Sequence, residues 1–150
     1  MRNNLKKSEG FTLIETVLVL SVVSLILSIP FVHFNKLRVE SETQLFFESL
    51  GSSITLVQTY AILNQEWTVM DVRPGSRDIS FRVVNDRNHP IAHKLPLPES
   101  LSLPGGAREF RFSSNTGNQS DILQVPFETT KGKVNFKFKF GKGRFTIEYN

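Results

Sequence analysis

The sequence predicts an α+β protein: one long N-terminal helix followed by an antiparallel β region. Three observations carry this. From Thr16 to Phe34 there is no Asp, Glu, Lys or Arg. From Asn35 to about Gln65 apolar residues recur every three or four positions, the period of a helix with one buried face. From Trp67 onward the period falls to two, with Gly, Pro and Asn clusters between the runs.

Residues 1–10 form a short basic leader holding Arg2, Lys6, Lys7 and Glu9, net +2. The apolar segment behind it, 11–34, matches the roughly 20 residues that span a hydrocarbon core as a helix. The leader's positive charge favours a cytoplasmic N-terminus and an outward C-terminal part. An ordinary secretory signal is cut after its apolar segment. Here the small residue, Gly10, stands in front of it. Glu15 is the anomaly, because an ionised carboxylate in a bilayer costs roughly 2.5–3.5 kcal/mol on insertion scales unless something pairs with it.

Pro30 predicts a kink or local melting, since it lacks an N–H and its ring clashes with the carbonyl of Ile26. Beyond it, residues 35–66 continue as an amphipathic helix with Phe46, Leu50, Ile54, Val57 and Ala61 on one face. Gly51 interrupts this stretch at a cost of about 1 kcal/mol relative to Ala. The reading is one long, bent helix over about 11–65.

Residues 67–150 read as strands. Trp67–Val72 and Ile79–Val84 flank a Pro74-Gly75-Ser76 turn. His89–Gly106 is rich in proline and reads mostly as loop, tacked to the core by Leu95, Leu97, Leu101 and Leu103. Glu109–Ser113 and Asp121–Thr129 are further strands, with Phe110 and Phe112 inward. The last hairpin alternates Val134, Phe136, Phe138 and Phe140 with lysines, then Phe145, Ile147 and Tyr149 with Arg144, Thr146 and Glu148. Two registers keep its apolar residues together. A two-residue loop pairs Phe138 with Phe145 and sets Lys139 against Arg144. A four-residue loop pairs Phe140 with Phe145 and Lys137 with Glu148. Like charges directly opposite are unfavourable, which favours the second.

The chain has no cysteine, which excludes disulfides, thiol catalysis and Cys-zinc sites. His89 and His93 are four apart but separated by Pro90, and no third ligand accompanies them or His33. No phosphate loop, nucleophile elbow or paired-carboxylate motif stands out. The chain therefore does not read as an enzyme, and neither a cofactor nor a metal is expected. Charge is segregated: residues 11–66 carry net −3 and residues 67–150 net +5. Lys131, Lys133, Lys137, Lys139, Lys142 and Arg144 fall within 14 residues and are candidate DNA-phosphate contacts. The competing reading is a solvated face that discourages edge-to-edge aggregation.

A basic leader, Gly10, then Phe11-Thr12-Leu13-Ile14-Glu15 and an apolar helix resembles the N-terminal signal of type IV pilins and pseudopilins. The close match covers about the first 30 residues. The small size, the run through Ser21 and the Phe140-Gly141-Lys142-Gly143-Arg144 ending look like the ComGD-type minor pseudopilins of Gram-positive competence systems. The resemblance implies a pilin-like fold, cleavage after Gly10 by a prepilin peptidase, and N-methylation of Phe11. It implies that Glu15 pairs with the new terminal amine of a neighbouring subunit, and that Pro30 lies near a helix break used in assembly. Implied partners are major and other minor pilins through the N-terminal helix, an assembly ATPase with its platform protein, and the membrane. The implied location is a single-pass membrane protein that reaches the cell surface in a pilus. The implied role is in a competence pilus needed for DNA uptake. The alternatives are a pseudopilin of a type II secretion system and a membrane-tethered DNA receptor that uses the basic hairpin.

Overall fold

The computed structural model describes residues 11–117, 123–129, 132–139 and 144–149, with the side chains of 29–36 and 144 outside that description. The backbone is one long helix, α1 (Leu13–Asn64), then eight strands: β1 (Thr68–Arg73), β2 (Asp78–Val83), β3 (His93–Pro96), β4 (Leu101–Ser102), β5 (Arg108–Phe112), β6 (Gln124–Thr129), β7 (Gly132–Lys139) and β8 (Arg144–Tyr149). By contacts the chain divides into residues 1–39 and 40–150. The backbone at Pro30 is helical, while its side chain, where the break was expected, lies outside the described set.

In the first unit, Thr12 caps the helix. Its Oγ1 accepts from the Glu15 N–H at 3.3 Å, and its carbonyl accepts from the N–H groups of Glu15 and Thr16. Apolar side chains follow on every side of the helix, and Leu13 through Leu27 are exposed wherever they are large. The hydroxyls among them bond back to their own helix: Thr16 to Leu13 O, Ser21 to Val17 O and Ser28 to Ser24 O. Such back-bonding satisfies the hydroxyls without water.

In the second unit the strands form two antiparallel sheets where one was expected. Sheet A has the order β3-β2-β1-β5 and sheet B the order β4-β6-β7-β8. The α1 residues from Glu40 onward supply one side of the core. Phe46, Leu50, Ile54, Val57 and Ala61 are buried, as the spacing predicts, and Phe47 joins them. Met70, Val72, Ile79, Phe81 and Phe112 enter this core from sheet A, and Val125, Phe127, Val134, Phe136 and Phe138 from sheet B. Thr68 is buried and donates its hydroxyl to the Val57 carbonyl at 3.0 Å, fastening β1 to the helix.

An aromatic line runs beneath α1. Phe46, Phe47 and Phe127 meet edge to face, with centroids 5.3–5.7 Å apart. Phe47 stacks on Phe136 at 6.0 Å, and Phe136 on Phe145 at 5.0 Å. Gly51 is where this line meets the helix. A Cβ there would lie 2.7 Å from Phe145 Cδ1. The glycine that weakened the helix reading thus opens room for the last strand.

The loop reading of His89–Gly106 is corrected in two places, where His93–Pro96 pairs with β2 and Leu101–Ser102 with β6. The favoured hairpin register is also corrected: Phe138 pairs with Phe145, and Lys139 stands opposite Arg144. The physical reason is visible in the ion pair that motivated the other choice. Lys137 Nζ reaches Glu148 Oε2 at 2.6 Å diagonally, although Lys137 faces Thr146 and Glu148 faces Asn135. A long side chain spans a diagonal, so the pair did not discriminate between registers. Phe140 lies outside the described residues.

Gly51→Ala is expected to lower stability by about 1 kcal/mol, because overpacking of 1–3 kcal/mol exceeds the helix gain of about 1 kcal/mol. Combining it with Phe145→Leu should give a smaller loss than the sum of the two single changes, measured by chemical denaturation of the four proteins in a double-mutant cycle.

Candidate functional site

Two regions hold the residues singled out from sequence. At the N-terminus, Gly10 lies outside the described residues. Phe11 precedes the helix and is 79% exposed. Glu15 is exposed in the first turn of α1, its N–H held by Thr12. Thr12 and Glu15 have the spacing of a capping box, and a carboxylate in the first helical turn is favoured by the helix dipole. The Thr-x-x-Glu signal was present in the sequence but was absorbed into the longer motif. Glu15 thus has a local role as well as the one the resemblance implies. Among the described residues no helix is long and apolar enough to cross a membrane. The span read from sequence continues to Phe34, beyond the described side chains.

At the other end, Val134, Phe136 and Phe138 are buried, so Lys133, Lys137 and Lys139 share the opposite, outward face of β7. The paired strands bring carboxylates to the same face. Glu128 of β6 stands opposite Lys133, and Glu148 of β8 takes Lys137. Arg144 holds its register place beside Lys139, while Lys131 and Lys142 lie outside the described residues. The stripe is basic but interrupted, a feature that only strand pairing reveals.

Sheet A carries a second charged face that sequence reasoning missed. Asp71, 6% exposed, accepts from Arg82 Nε at 3.0 Å, and Arg82 Nη2 reaches Glu109 Oε2 at 3.3 Å. Glu109 also takes Arg111 Nε at 2.6 Å. Asp78 accepts the Ser76 hydroxyl at 2.7 Å and Lys94 Nζ at 3.3 Å. The Ser76 hydrogen bond chiefly, helped by Lys94 and Arg73 against partial desolvation, holds its carboxyl below the ordinary 3.8. Residues 71, 82, 94 and 109 are far apart in sequence, and only the register of β1 with β2 and β5 assembles them.

The histidines also have defined places. The Ile91 N–H donates to His89 Nδ1 at 3.3 Å, and His93 Nδ1 donates to the Ile91 carbonyl at 2.8 Å. His89 Nε2 lies 3.0 Å from Tyr60 Oη, which donates to Glu66 Oε2 at 3.1 Å. His93 Nε2 takes the Ser53 hydroxyl at 2.9 Å, and its ring stacks on Phe81. Partial burial, with the bond to and charge of Glu66, raises the Tyr60 phenol above its usual value. These histidines pin the segment before β3 to α1. Among the described residues no cluster of three metal-ligating side chains occurs.

A helix headed by Phe-Thr-Leu-Ile-Glu, its later part packed on antiparallel sheets, defines a pilin-like α+β chain. Over 136 residues the sequence is 24% identical to the competence protein ComGD of Streptococcus pneumoniae (strain ATCC BAA-255 / R6), covering 91% of this chain and 77% of that protein. That likeness extends well past the N-terminal motif and supports a ComGD-type pseudopilin. No family model matches the chain, and no solved structure matches it.

The depressed Asp78 carboxyl fixes a sign. Its stabilising increment is full above the unfolded value of 3.8 and is lost as pH falls through the lower folded value. Ser76→Ala should therefore lower the melting temperature at neutral pH and narrow its gap to the parent as pH falls below 3.8 and through the lower folded value, read from melts across pH.

Proposed function

We propose that this chain is a minor pilin subunit of a competence pilus, made as a membrane-anchored precursor, cut after Gly10 and packed by its N-terminal helix against other pilins. The observation that carries this reading is Glu15, a lone carboxylate in the first turn of a helix whose large apolar side chains from Leu13 to Leu27 are exposed all round. A helix apolar on every side needs lipid or other helices around it. Cleavage after Gly10 creates an ammonium at Phe11, and in low dielectric a carboxylate and an ammonium in contact attract strongly while either alone is costly. Glu15 then sets the register between neighbouring helices. The likeness to ComGD supports a competence pilus over a secretion pseudopilus. DNA uptake, the prepilin peptidase, the assembly ATPase and the platform protein belong to this reading, as do N-methylation of Phe11, a role for Pro30 and a single-pass precursor with a cytoplasmic leader.

A direct DNA contact is the second reading, favoured by the common outward face of Lys133, Lys137 and Lys139. Lys131, Lys142 and Arg144 extend that candidate surface by sequence.

Replacing Gly10 with Val should leave the leader attached, seen by intact-mass measurement, and abolish transformation. Glu15→Val should still be processed but fail to enter pili. Survival of both processing and DNA uptake in Gly10→Val would overturn the pilin reading. For the second reading, Lys133→Ala/Lys137→Ala/Lys139→Ala should cut DNA capture with pili intact, and the residual capture should respond less steeply to salt. Capture that is unchanged at every salt concentration would sink direct contact.

A further inference from the structure

The unit beyond residue 39 is electrically divided. Residues 40–66 hold Glu40, Glu42, Glu48 and Glu66 with no Lys, Arg or Asp, whereas residues 67–150 carry net +5. On the outer side of sheet A, a depression is lined by Arg73, Arg82, Arg87 and Lys94 around Asp71 and Asp78. Both carboxylates are engaged, Asp71 by Arg82 and Asp78 by Lys94. Arg73 is 64% exposed and stands 3.8 Å from Asp71. Arg87 is exposed, and among the described residues it makes no hydrogen bond or ion pair. Arg87 is thus left to meet an incoming anion, beside an Arg73 held only by a long, exposed pair to Asp71, and the planar fork of a guanidinium suits a carboxylate.

The same face is mixed in sign. Arg73 is paired across the strands with Asp78, and Asp71 with Glu109. An unbroken phosphate backbone laid over it would meet these carboxylates. A protein surface of mixed charge can place each sign against its opposite. Glu48 is an exposed carboxylate on α1, bonded to Gln44 and lining a groove with Gly51, Ser52 and Phe145 of sheet B. Within one copy it therefore lies in a different groove from the sheet A depression.

We propose that the sheet A depression receives the acidic stretch of α1 around Glu48 from a second copy of this chain. The contact joins two different patches, so it is heterologous and extends in one direction instead of closing on itself. It does not use the apolar part of α1 before residue 40, and its failure would leave the processing and pilus tests above untouched.

The cysteine-free sequence permits a direct test on the full chain in detergent. One tagged chain carries Asn88→Cys and a second carries Ser49→Cys, both exposed positions beside Arg87 and Glu48. Under mild oxidation at about 50 mM salt, the mixed dimer should exceed either same-site dimer by about fivefold, falling toward parity at about 500 mM. Arg73→Glu with Arg87→Glu on the first chain should abolish the excess, and Glu48→Lys on the second should restore it. Restoration separates a broken contact from a misfolded chain. Equal amounts of mixed and same-site dimers at low salt would overturn the proposal, as would an excess indifferent to these reversals. So would cross-linking of the Asn88→Cys chain to a different subunit alone when the two are co-expressed.

Discussion

The aromatic contact beneath α1 is the constraint on which the second unit depends. Phe47 lies against Phe127 and Phe136, and Phe136 against Phe145, so helix, β6, β7 and β8 share one set of rings. Ring pairs of this kind contribute about 0.5–1.5 kcal/mol each beyond the area they bury. Gly51 is the complementary requirement, because only the absence of a side chain lets Phe145 approach the helix. The outward residues of sheet B follow from this packing. Once Phe136 and Phe138 are inside, Lys137 and Lys139 have to face out.

The legible part of the fold was the part governed by period. Phe46, Leu50, Ile54, Val57 and Ala61 declared a buried face, and the alternation of Ile79, Phe81 and Val83 declared a half-buried strand. Phe47 escaped because a single apolar stripe does not show how wide the buried arc is. The division into two sheets escaped because pairing between distant strands leaves no local mark. The hairpin register failed for a sharper reason: Lys137 can reach Glu148 in either arrangement, so the charges carried less information than they appeared to.

The candidate sites divide in the same way. The N-terminal segment is legible because its residues are contiguous and its chemistry is local, down to the Thr12 cap. The two charged faces are composite. Glu128 and Glu148 temper the lysines of β7 only once β6 and β8 flank it. His89 and His93 showed no ligand pattern, and their place is mechanical: both hold the backbone of Ile91 while gripping Tyr60 and Ser53 on the helix.

The Thr12 cap has a consequence for the order of events in the life of the chain. The helix begins at Leu13, with Phe11 and Thr12 outside it. A peptidase cutting after Gly10 would therefore leave Phe11 and the capping Thr12 ahead of the helix. The residue that organises the first turn would stay with the longer product. Severing the leader would remove charge and create a terminus while leaving in place the bonds that Thr12 accepts from Glu15 and Thr16. Maturation would change what the helix can join and leave its capped first turn as it was.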